Sequence, residues 1–498
     1  MPKVSLGTSG ACFQPFKRDR RNFNNSPVLA PKPLTWDMSA PTIEFVLSKD
    51  GLPPGPGNKL LQTYGYARDP YGWLIRNRDE YGDIYTARMV NGTVVVVGNP
   101  SGAQGVFGAD PDTFVPFAVE TIEPMIGGNS MLLLSGARHR RERRLLMPSF
   151  HGERMRAYGE IIRDTALSVA ETWVPGQSMP FQQTSQTISL EVIIRAVFGV
   201  QDRSRVHAVR RAIVDFAEKT SPALFFFPFL QHSFGGIGPW AQFLKIKGAM
   251  SALLHAEITA RRQATEPGND ILSLMLAARH EDGTAMSDAE LHDELLTLVF
   301  AGHETTGIAL AWAIYWLLRH PDCMRRLLAE IDALGANPDP EQLARLPYLE
   351  AVVHETLRLH PIVPDVPRFL ARPLDLEGYH LPAGVGVAVA TTLLHQRPDI
   401  YPEPQRFKPE RFLERKFTPF EYTPFGGGAR RCLGAAFAMY EMKIVLGTLL
   451  PRYRLVLAER DEVLPTRRNL VLGPATGVRV IFIGPRSANA SNSPRVAA

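Results

Sequence analysis

The sequence predicts a mainly α-helical protein with a small β portion, folded as a single large domain over residues 51–485. Three observations support this prediction. The longest helical pattern begins at a capping box, Ser287-x-x-Glu290, and continues to about Arg319. Helical patterns also dominate the rest of the chain, and short strand patterns bounded by turn residues occur near both ends of the domain. No internal repeat or linker interrupts residues 51–485.

The composition is that of an ordinary globular protein. Of the 498 residues, 45% are hydrophobic and 21% are charged, which is enough apolar material for a large core. The formal net charge is only +5, which argues against a dedicated nucleic-acid binder. The three cysteines, Cys12, Cys323 and Cys432, include no Cys-x-x-Cys pair. A disulfide framework or a zinc finger is therefore not expected. The expected location is a reducing compartment, the cytoplasm.

Both ends of the chain are expected to be tails. Residues 1–50 mix Lys and Arg with Asn, Ser and Pro and show no helical or strand period, which predicts disorder. An organelle presequence is the alternative, although the prolines disfavour the amphipathic helix of such a leader, and Met38 is a second candidate start. Residues 486–498 form a polar tail. Because no apolar segment begins the chain, neither a secretory signal nor an integral membrane anchor is expected.

The elements up to the capped helix follow from local patterns. Ile84 to Val97 is predicted to be a hairpin, with Asn91-Gly92 supplying the positive φ angles of its turn. Residues 138–277 are predicted to be mainly helical. The capped helix has about 32 residues and a length of about 48 Å. Since His303 and Glu304 interrupt its apolar run, we expect a buried core helix and not a membrane span.

Helices and strands alternate after the capped helix. Helices are predicted at Cys323–Leu334 and Pro347–Leu359, and short strands then continue to Ile400. A further helix is predicted at Ala435–Leu450, and Asn469 to Ile483 is predicted to be a final hairpin-like segment.

The most informative segment is Pro424-Phe-Gly-Gly-Gly-Ala-Arg-Arg-Cys-Leu-Gly434. Its glycines allow the backbone to turn tightly and to approach a flat ligand closely. Cys432 directly precedes the helical pattern that begins at Ala435, and a helix N-terminus stabilises a thiolate. This setting suits a metal-ligating cysteine. A buried cysteine in a Gly-rich turn is the alternative interpretation.

The pattern Phe425-x-x-Gly428-x-Arg430-x-Cys432-x-Gly434 resembles the haem-binding loop of the cytochrome P-450 monooxygenases. The resemblance extends over about residues 51–485. It implies the cytochrome P-450 fold, with haem b between the capped helix and the cysteine loop. It also implies that Cys432 is the axial iron ligand. The cofactor contacts that it implies in this loop are Phe425, Gly428, Arg430 and Gly434.

Two other motifs match the family in the expected order. Glu355-Thr-Leu-Arg358 is an E-x-x-R on a helix, and Phe407-Lys-Pro-Glu-Arg411-Phe412 resembles the family's F-x-P-E-R-F element. By itself an i,i+3 pair is usually a weak surface interaction. The resemblance implies instead that Glu355, Arg358 and Arg411 form a buried structural network that supports the haem loop.

The capped helix is expected to form the distal side of the site. Ala301-Gly-His-Glu-Thr-Thr306 interrupts an apolar run, and Thr297, Ala301, Thr305 and Ile308 share one face of the helix. A polar kink satisfied by its own backbone is the alternative for an isolated threonine. The segment resembles the family's A-G-x-[DE]-T-[ST], which implies that Ala301 lies beside the haem. It also implies that Glu304 and Thr305 organise proton delivery.

A run of arginines precedes residue 145. His139 and Arg143 match the family's His-x-x-x-Arg pattern, which implies contacts with the haem propionates together with Arg430 and, as a further candidate, Arg368. Other arginines of the run, among them Arg138, Arg140 and Arg141, either form a solvated face or dock an acidic electron carrier.

Substrate recognition is expected to be apolar. The aromatic cluster Leu224 to Leu230 falls where the family has an access lid, and core packing or membrane contact is the alternative. The pocket candidates are Phe117, Val363, Val366 and Leu472, with Val119, Ile122, Met125 and Pro474 as further possibilities.

The implied activity is insertion of one oxygen atom of O2 into a lipophilic small molecule, by hydroxylation or epoxidation. The substrate classes left open are fatty acids, terpenoids, steroids and other natural products. Electrons are expected from separate proteins, a ferredoxin or flavodoxin and its reductase, so NAD(P)H acts only indirectly. A peroxide-driven peroxygenase and a non-enzymatic haem sensor or ligand-binding module are the alternatives. The Glu304-Thr305 pair disfavours both.

Overall fold

The computed structural model describes residues 51–486, apart from 151, 153, 201–202, 221–223, 225–229, 234, 266–267 and 469. The predicted tail at residues 1–50, with Cys12, lies outside the described residues. So do residues 487–498 and most of the Leu224 to Leu230 cluster. The described part of the chain is mainly helical with a small strand content, as predicted.

The helices are named in chain order. They are α1 (Lys59–Arg68), α2 (Pro70–Tyr81), α3 (Pro100–Gly108), α4 (Val119–Ile126), α5 (Gly136–Leu146), α6 (Arg154–Ala170), α7 (Phe181–Phe198), α8 (Arg203–Lys219), α9 (Pro239–Gln263), α10 (Ile271–Ala277), α11 (Asp288–Arg319), α12 (Pro321–Asp332), α13 (Pro340–Ala344), α14 (Pro347–Leu359), α15 (Thr391–His395), α16 (Arg411–Glu414) and α17 (Ala435–Leu449).

The strands are β1 (Ile84–Met89), β2 (Gly92–Val97), β3 (Phe114–Pro116), β4 (Ser178–Pro180), β5 (Val366–Leu370), β6 (Leu374–Leu376), β7 (Tyr379–Leu381), β8 (Gly386–Val389), β9 (Tyr453–Leu457), β10 (Pro465–Arg468), β11 (Val471–Pro474) and β12 (Arg479–Pro485). A five-stranded sheet has the order β1-β2-β8-β5-β3, in which β2 and β8 are parallel and the other neighbours antiparallel. Smaller antiparallel sheets are β4-β12-β9, β10-β11 and β6-β7.

Helix α11 forms the centre of the main hydrophobic core. The predicted capping box is present, since the Ser287 side chain accepts from the Glu290 N–H and the Glu290 carboxylate accepts from the Ser287 N–H. By length and hydropathy α11 is the described helix that could cross a membrane, but 67% of its apolar 18-residue window is buried inside the fold. It packs against α7, α14 and α17. The structure therefore agrees with the expectation of a core helix.

Two predictions about strands need correction. The hairpin at β1 and β2 is present, but Met89 pairs with Gly92, so the loop residues are Val90 and Asn91. Gly92 has a positive φ of 131°, whereas Asn91 does not have a positive φ.

The region from 138 to 277 is mainly helical as predicted, with the short strand β4 between α6 and α7.

The predicted hairpin-like segment from Asn469 to Ile483 is wrong. Strand β11 pairs with β10, and β12 pairs instead with β9 and β4 in another sheet. The sequence indicates strands in this segment but does not indicate the partner of each strand, because pairing depends on contacts distant in sequence.

Candidate active site

The cysteine loop lies directly on α3. Gly426 and Gly428 have positive φ angles of 66° and 63°, a conformation that strains other residues. A Cβ at Gly427 would overlap the ring of Phe107, and a Cβ at Gly428 would overlap the Phe107 carbonyl oxygen. The Cys432 N–H donates to the Phe425 carbonyl at 2.9 Å. Glycine is therefore needed for the loop to rest on α3 and close at Cys432.

Cys432 is an exposed residue, yet many protein atoms surround its sulfur. Burial raises the pKa of this thiol, and the smaller effects of the Gly434 N–H and of Arg143 oppose it. The predicted stabilisation of a thiolate is thus present but smaller than the cost of desolvation. A metal ion would reverse this balance, because it deprotonates a coordinating thiol.

Basic side chains lie beside this loop, namely His139 and Arg143 of α5, Arg368 of β5 and Arg430. Burial lowers the pKa of His139 to about 4, and the charge of Arg430 lowers it further. Burial also lowers the pKa of Arg368 to about 10, with Arg430 again contributing. These effects place the four predicted residues close together, with the positive charges of the three arginines helping to keep the His139 imidazole neutral at pH 7.

No carboxylate in the described ranges forms an ion pair with this cluster. Arg430 donates to the Leu132 carbonyl at 3.4 Å and to the Leu134 carbonyl. Arg368 donates to the Gly427 carbonyl at 2.9 Å, and its buried Nε has no hydrogen-bond partner. Such a cluster fits a ligand with more than one negative charge. The two propionates of haem b, beside a cysteine sulfur, match this donor set.

One face of α11 is open in the middle of an otherwise buried helix. Ala301 is exposed and Thr305 partly exposed, whereas Thr297 and Ile308 are buried. The Thr297 hydroxyl lies 2.7 Å from both the Ser130 hydroxyl and the Asp293 carbonyl, and the Thr305 hydroxyl donates to the Ala301 carbonyl at 2.8 Å. Of the four residues predicted to share this face, Ala301 and Thr305 are therefore the two that have exposed surface.

Glu304 is the acid on this part of α11. Burial raises its pKa from 4.5 to about 7, and the charge of Arg468 of β10 opposes the shift. Arg468 and Ile308 both approach Gly473, which places this arginine against α11 one turn beyond Glu304. A carboxyl with a pKa near 7 is suited to both accepting and releasing a proton at neutral pH.

Glu355, Arg358 and Arg411 form one buried network. Arg358 donates to Glu355 through Nε at 2.7 Å and through Nη2 at 2.9 Å. Arg411 Nε donates to the same carboxylate at 3.1 Å, and so does the Lys408 N–H at 2.9 Å. These bonds satisfy the carboxylate from three directions, which is what a buried charge requires.

This network connects to the start of the cysteine loop. Arg358 Nη1 donates to the His395 carbonyl at 2.8 Å. The His395 ring accepts from the Thr423 N–H at 2.9 Å, and Thr423 directly precedes Pro424. A continuous set of hydrogen bonds therefore links α14 through α15 to the loop.

The predicted pocket residues lie in different settings. Val363 is 39% exposed, and Val366 lies 3.6 Å from the position of a Cβ on Gly426. Phe117 stacks on Phe369 with 4.8 Å between ring centroids. Leu472 is buried, and its N–H donates to the Ile362 carbonyl at 2.8 Å. Val363 is thus the candidate with the most open surface.

The exposed arginines of α5 already have acidic partners. Arg140 pairs with Asp112 at 2.7 Å, and Arg138 lies 3.6 Å from Glu290. Arg141 lies 3.5 Å from Glu142 and 3.8 Å from Asp282. Within the described chain, Arg431 is exposed next to Cys432 and has no ion-pair partner.

Phe107 and Phe114 are parts of the site that no sequence motif indicated. The Arg368 guanidinium lies 5.2 Å from the centroid of the Phe107 ring and 5.3 Å from that of Phe114. Phe107 also supports the glycines of the loop. No local pattern marks either residue, because their partners lie about 250 to 320 positions away along the chain.

Comparisons with known proteins agree with this geometry. The sequence profile of the family described as Cytochrome P450 matches residues 51–482. The chain is 33% identical over 466 residues to cytochrome P450 135B1 of Mycobacterium tuberculosis, covering 89% of this chain and 94% of that protein. It is 34% identical over 442 residues to cytochrome P450 138 of the same organism, covering 86% and 96%.

A solved structure, retinoic acid-bound cyanobacterial CYP120A1, superposes with a TM-score of 0.78 at 26% identity, covering 86% of this chain and 98% of that one. The haem domain of cytochrome P450DA shares the fold, with a TM-score of 0.76. Members of the family bind haem b, use O2 and obtain electrons from NAD(P)H through redox partners. The chain belongs to the cytochrome P450 family and is a bacterial-type haem-thiolate monooxygenase.

Proposed function

We propose that Cys432 binds the haem iron through its sulfur. The observation that best supports this role is the position of Cys432, at the end of a glycine loop that closes through its N–H and beside arginines that have no acidic partner among the described residues. Haem b supplies O2 binding and activation when it is bound, and a thiolate ligand favours O–O cleavage. His139, Arg143, Arg368 and Arg430 are assigned to the propionates, since the three arginines are positive, the neutral His139 ring can donate a hydrogen bond, and no carboxylate in the described chain pairs with them. Phe425, Gly428, Gly434 and Ala301 are assigned to contacts with the macrocycle.

Proton delivery is assigned to Glu304 and Thr305. The Thr305 hydroxyl gives its hydrogen to the Ala301 carbonyl, which leaves the oxygen lone pairs free to accept a hydrogen bond from the cavity. Glu304 can exchange protons near neutral pH because burial raises its pKa to about 7. Neither feature is needed by a haem sensor.

Glu355, Arg358 and Arg411 are assigned a structural role. Their bonds reach Thr423 through His395, so they hold the residue from which the cysteine loop departs. The position of Cys432 relative to α3 then depends on a network in which every charge has a partner.

The proposed substrate is a lipophilic molecule that carries a carboxylic acid. Lipophilic substrates are usual in the family, and the similar cyanobacterial protein is bound to retinoic acid. In this chain Arg468 lies beside Glu304, and its Nη2 donates to the Pro474 carbonyl at 3.3 Å. A half-protonated Glu304 leaves part of that positive charge available to a substrate carboxylate.

The substrate proposal is tested with matched ligands. A long-chain fatty acid and its methyl ester are titrated into the enzyme while the haem spin-state shift is recorded. We expect the acid to bind more tightly than the ester, and Arg468→Gln to remove that preference. Equal binding of acid and ester by the unmodified enzyme would contradict the carboxylate preference and leave a neutral lipid, terpenoid or steroid as the substrate class.

Electrons are proposed to come from a ferredoxin or flavodoxin with its reductase. An acidic carrier of this kind would meet Arg431, the exposed arginine next to Cys432. The arginines of α5 contribute less than the sequence indicated, since Asp112, Glu142 and Glu290 already neutralise them.

The ligand assignment is tested by the carbon monoxide difference spectrum of the reduced protein. A strongly red-shifted Soret band is expected, and Cys432→Ala should lose it. Retention of the band by that variant would disprove the assignment. Turnover with a surrogate redox pair, compared with peroxide alone, separates the monooxygenase from a peroxygenase, and no turnover with either would favour a sensor.

A further inference from the structure

Helices α7 and α11 approach each other unusually closely on both sides of Glu304 and Thr305. A Cβ at Gly302 would lie 2.8 Å from Ile193 Cδ1. A Cβ at Gly307 would lie 2.9 Å from the backbone Cα and N of Gln186. A larger residue at position 307 would push the helices apart, whereas one at position 302 would first displace the end of the Ile193 side chain. The two glycines of α11 therefore bring its backbone within hydrogen-bond reach of α7.

Two buried serines of α7 use this proximity. The Ser185 hydroxyl lies 2.7 Å from the Gly307 carbonyl oxygen, closer than the carbonyls of Phe181 and Gln182 in its own helix, both at 3.1 Å. The Ser189 hydroxyl lies one turn further along α7 and 3.5 Å from the Gly302 carbonyl. A serine has one hydroxyl hydrogen, and the shortest contact of Ser185 is to the other helix.

A buried carboxyl group, that of Glu441, lies next to Ser189. Glu441 of α17 is 1% exposed and shares a hydrogen bond with the Ser189 hydroxyl. Burial raises the pKa of Glu441 to about 8, so this carboxyl keeps its proton at neutral pH. The hydrogen bond with Ser189 opposes this shift. While Glu441 is protonated, its own O–H can donate to the Ser189 oxygen, which leaves the serine hydrogen for the Gly302 carbonyl.

The two bonded carbonyls enclose the functional segment. Residues 303–306 lie between Gly302 and Gly307 and include both residues assigned to proton delivery. Within a helix each carbonyl normally accepts from the N–H four residues later. A lateral hydroxyl adds a second donor and fixes the tilt of the carbonyl group, and with it the backbone of that turn.

We propose that Ser185 and Ser189 are positioning residues for proton delivery, with Glu441 supporting Ser189. Through the Gly307 and Gly302 carbonyls they hold the turn of α11 that directs Glu304 and Thr305. This inference rests on the roles proposed above for Glu304 and Thr305. The proposal extends these roles to residues of α7, a helix that does not have to contact haem or substrate itself.

The first test measures the backbone directly. Ser185→Ala and Ser189→Ala each remove one oxygen atom and create no clash, so folding should be preserved. Hydrogen–deuterium exchange is followed in the haem-loaded protein for peptides spanning residues 300–312. For Ser185→Ala we expect about fivefold faster exchange, the effect of one lost hydrogen bond, with a smaller increase for Ser189→Ala because its contact is longer.

The matched control is Thr187→Ala on the same helix. Its hydroxyl donates to the Gln183 carbonyl of α7 itself at 2.9 Å, so exchange in α11 should not change. Unchanged exchange in Ser185→Ala, or the same increase in Thr187→Ala, would overturn the proposal. Ser185→Cys, which keeps a weaker donor, should give an intermediate result.

The second test measures coupling, the share of supplied electrons found in product and not in hydrogen peroxide. Coupling should fall in the two serine variants while the red-shifted carbon monoxide band is kept. Thr305→Ala is measured alongside. If its coupling is unchanged, the proton role of Thr305 fails, and the exchange data still decide the α7 contact. If Thr305→Ala loses coupling but the serine variants do not, the positioning role is wrong.

Discussion

Arg358 and Glu355 form a two-point ion pair with no exposed surface, with distances of 2.7 Å from Nε to Oε2 and 2.9 Å from Nη2 to Oε1. The two residues lie one turn apart on α14. On a helix surface such a pair contributes only a few tenths of a kcal/mol. Burial makes the loss of one partner cost much more free energy, because removing one member leaves the other as an uncompensated buried charge.

Glu355→Gln should therefore lower the free energy of unfolding by about 3–5 kcal/mol. Denaturant unfolding of the haem-loaded protein measures this loss, and haem retention should fall with it. Glu403→Gln is the control. Its side chain is 65% exposed and that of its partner Arg406 is 64% exposed, so its loss should cost about 1 kcal/mol or less. Equal losses in the two variants would contradict the importance of burial.

Gly428→Ala should disrupt the cysteine loop. The added Cβ meets the Phe107 carbonyl oxygen, and the positive φ of 63° adds strain. We expect a loss of at least about 2 kcal/mol in unfolding free energy and reduced haem content. Gly108→Ala in α3, where a Cβ meets nothing within 4 Å, should be nearly neutral. Haem content is measured from the pyridine haemochrome spectrum, and normal content in Gly428→Ala would be inconsistent with this packing.

Thr305→Ala should keep haem but divert electrons to hydrogen peroxide. The hydroxyl is lost from the open face of α11, while the Ala301 carbonyl loses only a lateral donor. Product and peroxide are quantified against the electrons supplied, with Thr187→Ala as the threonine control. Unchanged coupling would exclude a proton role for this hydroxyl.

Glu304→Gln should stabilise the protein in a pH-dependent way. The pKa of Glu304 is about 7 in the folded protein and 4.5 ordinarily, so folding disfavours its ionised form. The resulting penalty is absent below pH 4.5, grows as pH rises and is complete above pH 7. The variant removes the penalty and should gain on the order of 1–2 kcal/mol at pH 8, allowing for partial exposure. At pH 5.5 the gain should be smaller, and an equal gain at both pH values would argue against the raised pKa.

Arg431→Gln should slow reduction by an acidic carrier more than Arg140→Gln does. Arg431 has no acidic partner in the described chain, whereas Arg140 is paired with Asp112 at 2.7 Å. Stopped-flow reduction at low and high salt measures the difference, which should shrink as salt screens the charges. The carbon monoxide band controls for damage to the neighbouring Cys432. Equal rates in both variants at low salt would place docking elsewhere.

Local signals predicted much of the fold. The capping box located the start of α11, and Pro347–Leu359 matches the predicted helix residue for residue. Helix caps act over three or four residues, so the sequence contains them in full. Strand pairing, in contrast, is not determined by a few neighbouring residues. The pairing of β12 with β9 and β4, and not with β11, depends on distant segments.

In the candidate site, too, local motifs predicted some residues, whereas residues that act through distant contacts were not predicted. Motifs indicated Cys432, Glu355 and Arg358, because each of them belongs to a short motif whose own residues are close together in the sequence. Phe107 and Ser185 could not be identified in that way. Each acts on a glycine that lies more than a hundred positions away and is recognised only when two backbones meet.

If Arg143, Arg368 and Arg430 hold the haem propionates as proposed, the cofactor is a counter-ion as well as a reagent. Without an anion, none of these arginines has an acidic partner in the described chain, so local instability of the haem-free protein is expected here. Ligand binding to the folded state alone raises its stability with the logarithm of ligand concentration. On this assignment, haem supply should influence how much folded enzyme a cell can keep, and shortage should appear as increased proteolysis near α5.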